Sequence, residues 1–312
     1  MSIFREIEKD AVVELSPSQI ALAQICMRKL AYYRARVKPE ATPMNLVFGV
    51  CLHWVIEGFV RGLLNPSEMG AQFARKFDHL RMGKLIAMSK TKSSVVFSAI
   101  GVKLAEQFPA YFDNLGLVPV VIEGQFKINI GKGVILNLVI DFVGIATKEI
   151  YSPEGQLLAV PGDTVILDWK TAAMPEGELF ARHGFQLTYY WLAVTLACEK
   201  LGIKPPKVCG YAAGLKPNIK SVQSESLLRA TWLPVHWVER TESDIVEAVE
   251  YAHVVARRIR SGEFHRAPHM AYNSPCDSNN GRCDFAGACL EASLEGLSLT
   301  GRASGLTIAD LV

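Results

Sequence analysis

Two short stretches decide how this chain folds: Leu138-Val-Ile-Asp141-Phe-Val-Gly144 and Val165-Ile-Leu-Asp168-Trp-Lys170-Thr171. Each reads as an apolar strand ending on an acid. In the second, strand alternation puts Asp168 and Lys170 on one side and Trp169 on the other. An ionised carboxylate closing an aliphatic strand is costly unless it is paired or holds a cation. Two such acids on adjacent strands, with a lysine beside one, can bind Mg²⁺ or Mn²⁺ through oxygen ligands and hold a water against a phosphodiester. An Asp-x-Lys triplet alone also reads as an edge-strand ion pair over a core tryptophan, and composition yields about one by chance in a chain this long. The elements around it therefore carry the argument.

Working outward, Val118 to Ile130, Val134 to Thr147 and Thr164 to Trp169 read as three consecutive, mostly antiparallel strands, broken by Gly131-Lys-Gly133 and Ser152-Pro-Glu-Gly155. Upstream, Ser16 and Pro17 open a helix to about Arg34, and a second helix covers about Leu46 to Leu64. It carries His53 and, one turn on, Glu57, a second partner for the imidazole or an ordinary surface acid. Ser67 to Asn114 is helical or mixed; its middle, Arg75 to Lys92, is a basic insert with six Lys or Arg against Asp78 alone. Downstream come a helix from about Glu178 to Leu201, strands near Lys207 to Gly214 and Thr231 to Val238, and an amphipathic helix from Thr241 to Ser261.

The 312 residues are half hydrophobic and 21% charged, with 33 basic against 31 acidic side chains. That composition supports a sizeable core and excludes a disordered tail or a basic coat protein. Any preference for nucleic acid is local, as in Arg28, Lys29, Arg34, Arg36 and Lys38, five cations without an acid between them. The mixed charges of residues 1–10 do not read as a secretory signal, and no apolar run approaches the roughly 20 residues of a membrane span. A cytoplasmic protein with no membrane partner is expected.

Seven cysteines, an odd number, argue against a disulfide framework. Cys276, Cys283 and Cys289 crowd a polar segment that can bury little, which suggests metal ligation, whereas Cys51, Cys198 and Cys209 lie in apolar contexts and read as small core residues. Zinc and uncoordinated surface thiols are the other readings of the cluster.

The ordered set of Gly49-x-x-x-His53, Glu123, Ile140-Asp141, Asp168-x-Lys170 and Gln186-x-x-x-Tyr190 resembles the RecB-like branch of the PD-(D/E)XK nucleases, from about Ser16 to Cys289. The resemblance implies an α/β fold, with a central mixed β-sheet flanked by helices and an N-terminal helical insert at about 65–115. It implies one nuclease domain over 1–289, closed by a segment at 262–289 and followed by a tail at 290–312. His53, Asp141 and Asp168 are then metal ligands, joined by the carbonyl after Asp168. Lys170 assists the water, Gln186 and Tyr190 contact DNA and organise the site, and Glu123 is a frequent but less critical acid. Iron-sulfur members of the family add a cysteine from the N-terminal helix to three from the C-terminus. The corresponding residues here, Cys26 with Cys276, Cys283 and Cys289, would bind a 4Fe-4S cluster, although six residues separate Cys276 from Cys283 where the family has a tight pair. The function implied is a metal-dependent DNA exonuclease in repair, recombination or phage/CRISPR DNA processing, with a possible helicase, recombinase or CRISPR adaptation partner. A non-catalytic DNA-binding or scaffold subunit, or a phosphoesterase acting on a small substrate, are the competing readings.

Overall fold

The computed structural model describes residues 11–39, 41–82, 86–87, 93–172, 178–218, 222, 227, 229–267, 276–278, 281–286 and 289. In chain order the elements are β1 (Val13–Leu15), α1 (Pro17–Ile25), α2 (Met27–Arg34), β2 (Thr42–Pro43), α3 (Met44–Val60), a 3₁₀ turn (Pro66–Glu68), α4 (Met69–Arg81), β3 (Ile86–Ala87) and α5 (Ser94–Leu115). There follow β4 (Leu117–Asn129), β5 (Val134–Ala146), β6 (Ile150–Tyr151), β7 (Leu157–Ala159), β8 (Thr164–Ala172), α6 (Glu178–His183), α7 (Phe185–Leu201), β9 (Pro206–Leu215), β10 (His236–Val238), α8 (Glu242–Arg260), β11 (Asp277–Ser278) and β12 (Gly281–Arg282). They fall into two compact units. One is drawn from Met1–Ala41, Phe126–Leu138 and Ser243–Leu311, the other from Thr42–Gln125 and Val139–Glu242.

In the larger unit β8 lies between β5, antiparallel to it, and β9, parallel to it, and β10 closes antiparallel on β9. This is the mixed α/β sheet that the sequence predicts, with α3 packed on β8 and α7 on β8 and β9. A strand covered on both faces reads as a continuous apolar run, and Val165, Ile166 and Leu167 are all fully buried. Trp169 turns into an aromatic core, edge-on to Phe108 of α5 at 5.3 Å and tilted against Phe142 at 5.7 Å. Its chain neighbours Asp168 and Lys170 project to the opposite side. Helix α5 is capped by Ser93, whose Oγ accepts from Val96 N at 3.3 Å, and ends at Gly116, whose φ of +64° suits a residue without Cβ. Gly101, within α5, leaves room for the Phe73 ring.

Both acids differ from expectation in lying within their strands. Because Phe142 and Val143 beyond Asp141 are themselves buried, β5 continues to Ala146, and β8 likewise continues to Ala172. The expected single helix from Glu178 to Leu201 is interrupted at Gly184, which caps α7 in an extended conformation. There Arg240, buried, donates to the carbonyls of Ala181 at 2.6 Å and Gly184 at 3.4 Å. Of the expected strand from Thr231 to Val238, only His236–Val238 pairs regularly, with Trp232 making an isolated bridge to Gly214. Arg75 to Arg81 of the basic insert lie on α4; Lys84, Lys90 and Lys92 lie outside the described residues.

In the smaller unit β1 runs parallel to the opening of β5, pairing Val13 with Val134 and Leu15 with Leu136. Buried Arg34 ties α2 to this strand through the Glu14 carbonyl at 2.9 Å and to α1 through Gln19 Oε1 at 3.2 Å. The expected helix from Pro17 to Arg34 is broken at Cys26, whose φ of −164° and ψ of 116° are extended; its N–H closes α1 on the Leu22 carbonyl. The tail at 290–312 lies outside the described residues. No helix among the described residues is long and apolar enough to cross a membrane.

Candidate active site

The residues singled out in the larger unit converge on the middle of the sheet. From β8, Asp168 is 1% exposed; from β5, Asp141 is 6% exposed. Asp141 Oδ2 accepts the Trp169 N–H at 2.8 Å, so a side chain of one strand is pinned to the backbone of the next. Asp168 divides its two oxygens. Oδ1 accepts from Gln186 Nε2 at 3.0 Å, and Oδ2 meets Lys170 Nζ at 2.5 Å as an ion pair. Oδ2 is buried and takes no hydrogen bond among the described residues. Gln186 Nε2 also donates to Tyr190 Oη at 2.8 Å, one turn along α7. Lys170 Nζ stands 5.5 Å from the centre of the Tyr211 ring.

From α3, His53 brings one ring nitrogen, Nε2, to the Trp169 carbonyl oxygen at 2.8 Å. The other, Nδ1, faces Glu123 Oε1 at 3.8 Å and Asp141 Oδ2 at 3.7 Å. Glu57, considered as a second partner, pairs instead with Arg61 at 2.9 Å. Glu123, expected from the resemblance as a less critical acid, stands as close to the imidazole as Asp141 does. It sits at φ +50° within β4, a left-handed conformation that costs a residue with Cβ on the order of 1 kcal/mol or more. No pattern in the sequence marks that kink.

These groups perturb one another. Burial alone would lower the His53 pKa, but the neighbouring Asp141, Glu123 and Asp168 carboxylates outweigh it and raise the pKa to about 9. Burial, then the neighbouring Asp168 charge, raises Asp141 to about 7 against the pull of His53 and Lys170. Tyr190 is pushed well above its usual range by burial and by the two aspartates, so it keeps its proton. A site that crowds three carboxylates into a buried pocket and raises the pKa of one of them calls for a cation. His53, Glu123 and Asp141 each offer a ligand atom, all within 4.8 Å of one another, with the Asp168–Lys170 ion pair beside them. The donor set of carboxylates and an imidazole fits Mg²⁺ or Mn²⁺.

The cysteines are arranged differently. In the smaller unit Cys283 N donates to the Cys276 carbonyl at 3.0 Å, Cys289 N to Phe285 O at 2.8 Å, and Arg266 to the Cys289 carbonyl at 2.6 Å. The helix opened by Cys26 reaches the same segment through Lys29 and Asp284 at 3.3 Å and through Tyr32 stacked on Phe285 at 5.6 Å. Among the described residues no three of the four thiols lie within 4.8 Å of one another. Four thiolates around one zinc at about 2.3 Å would stand closer than that. Of the cysteines expected in the core, Cys51 and Cys209 are buried, while Cys198, near the end of α7, is half-buried.

Residues 14–290 match the family model of the PD-(D/E)XK nuclease superfamily. The match spans most of the sequence, and the chain belongs to that superfamily. No curated protein matches it.

Proposed function

We propose that the protein is a divalent-metal-dependent deoxyribonuclease, an exonuclease of the RecB-like branch, with one nuclease domain over 1–289. The observation that carries this reading is the His53, Glu123 and Asp141 ligand group, set beside the ion pair of buried Asp168 with Lys170. Bound there, Mg²⁺ or Mn²⁺ would offset phosphate charge and lower the pKa of a water. Asp141 and Asp168 would hold the ion, with His53 Nδ1 and Glu123 completing its shell, while the Trp169 carbonyl accepts from His53 Nε2. Lys170 assists the attacking water and balances the charge of the phosphodiester. Gln186 fixes Asp168, and Tyr190, protonated and buried, buttresses Gln186 from within instead of reaching the DNA. Action from ends of DNA follows from the resemblance, as does a setting in repair, recombination or phage/CRISPR processing beside a helicase, recombinase or adaptation partner.

Cys26, Cys276, Cys283 and Cys289 are proposed to hold a 4Fe-4S cluster. The resemblance supplies this reading, and α2 and the C-terminal segment are joined by Lys29–Asp284 and Tyr32–Phe285. Iron and sulfide assay of anaerobically purified protein tests this, and zinc in their place would overturn it.

The nuclease reading is tested on end-labelled single- and double-stranded DNA with Mg²⁺ or Mn²⁺, wild type against Lys170→Ala. Metal-dependent release of nucleotides, lost in the variant, is expected. No cleavage by wild type would favour the DNA-binding subunit.

A further inference from the structure

Helix α3 does more than supply His53. Its inward face, including Val47, Phe48, Cys51, Leu52, Val55 and Ile56, is buried. Leu46, 43% exposed, and Trp54, 36% exposed, lie away from that face, with half-buried Val50 between them packed on the core. The Trp54 indole keeps about a third of its surface in water. A cation accompanies it: Lys76 of α4 places Nζ 5.4 Å from the centre of the Trp54 ring. The exposed Arg75 precedes Lys76 on the same helix. Trp54 is also the residue after His53, so its indole leaves α3 about 100° around the helix from the metal-site imidazole, on the flank of the site, with Cα atoms about 3.8 Å apart. Gly49, one turn before His53, would meet nothing within 4 Å if it carried a Cβ, so space is open above the helix there.

We propose that Trp54 and Lys76 form a stacking platform for a nucleobase of a single DNA strand entering the metal site. The proposal rests on the nuclease reading for its substrate and adds a strand preference. An unpaired base presents a π-face to the indole, and the ammonium of Lys76 meets the adjoining phosphate. In a duplex both faces of each internal base are already stacked, so the platform selects single strands or frayed ends. Every base has such a face, so the preference is for strandedness and not for sequence.

The test is anisotropy titration, in EDTA, of labelled oligo(dT) and of a blunt duplex of equal strand length. It uses the full chain as wild type, Trp54→Ala, Trp54→Phe and Lys76→Met. Trp54→Ala is expected to weaken oligo(dT) binding about tenfold and duplex binding less than about twofold, with Trp54→Phe retaining most of the affinity. Lys76→Met should reduce the slope of log K against log salt on oligo(dT) by about 0.7. Unchanged oligo(dT) affinity in Trp54→Ala, equal losses on both DNAs, or no binding by wild type overturns the proposal. Because no divalent ion is present, the readout is independent of cleavage. A wild type that binds in this way yet leaves DNA intact with Mn²⁺ defeats the nuclease reading alone. One that degrades DNA while Trp54→Ala binds normally defeats the platform alone.

Discussion

The His53 imidazole is joined through Nε2 to the main-chain oxygen of Trp169, 2.8 Å away and 116 positions later in the chain. A carbonyl only accepts, so Nε2 carries a proton whatever the charge of the ring. The proton that can leave is the one on Nδ1, the nitrogen that faces Glu123 and Asp141. An ion entering the site must displace it.

Metal binding is therefore expected to release protons. Between pH 7 and 9 His53 alone must give one up, and below about 7 Asp141 must do so as well. Mn²⁺ affinity should climb steadily from pH 6 to 9, most steeply at the acid end. Calorimetry in buffers of differing ionisation enthalpy reads both affinity and proton count, and a flat profile would refute the assignment.

The metal-free protein should show the opposite trend in stability. His53, raised above its unfolded value of 6.5, stabilises the fold fully below that value and loses the effect as pH rises through about 9. Asp141, raised from 3.8, adds a cost that grows as pH rises and is complete above about 7. Melting temperature in EDTA should fall from pH 5 to 9, and Asp141→Asn should flatten the lower part of that fall.

Lys170→Ala is expected to reduce cleavage by about 10²-fold or more and also to lower the melting temperature, because buried Asp168 loses its ion partner. Gln186→Leu, which removes the donor to Asp168 Oδ1 and to Tyr190, should cost about tenfold in turnover. Full activity in Lys170→Ala, measured on end-labelled DNA, would remove the lysine from the mechanism.

Gly101→Ala tests the core. A Cβ there lands on the Phe73 ring, which is fully buried between Phe48 at 5.3 Å and Phe77 at 5.7 Å. Alanine would gain up to about 1 kcal/mol of helix propensity, but overpacking costs about 1–3 kcal/mol, so net destabilisation in chemical denaturation is expected.

The sequence made the strands legible because aliphatic runs between Gly- and Pro-containing turns leave few alternatives. It placed Asp168 beside Lys170 because period-two alternation fixes sides, and the two stand 2.5 Å apart. What it could not show depends on contacts between distant segments. The break at Cys26 has no Gly or Pro to announce it. The break at Gly184 is secured by Arg240, 56 positions away. Glu123 owes its place to a local backbone inversion that residue type argues against.

That inversion sets the interests of folding and chemistry against each other at one position. Glycine at 123 would adopt the left-handed conformation without strain and so relieve the chain, but the carboxylate would be gone. Substitutions that drift toward robustness are therefore expected to disarm the enzyme there first, and an inactive descendant with glycine at 123 should outlast its working ancestor on heating.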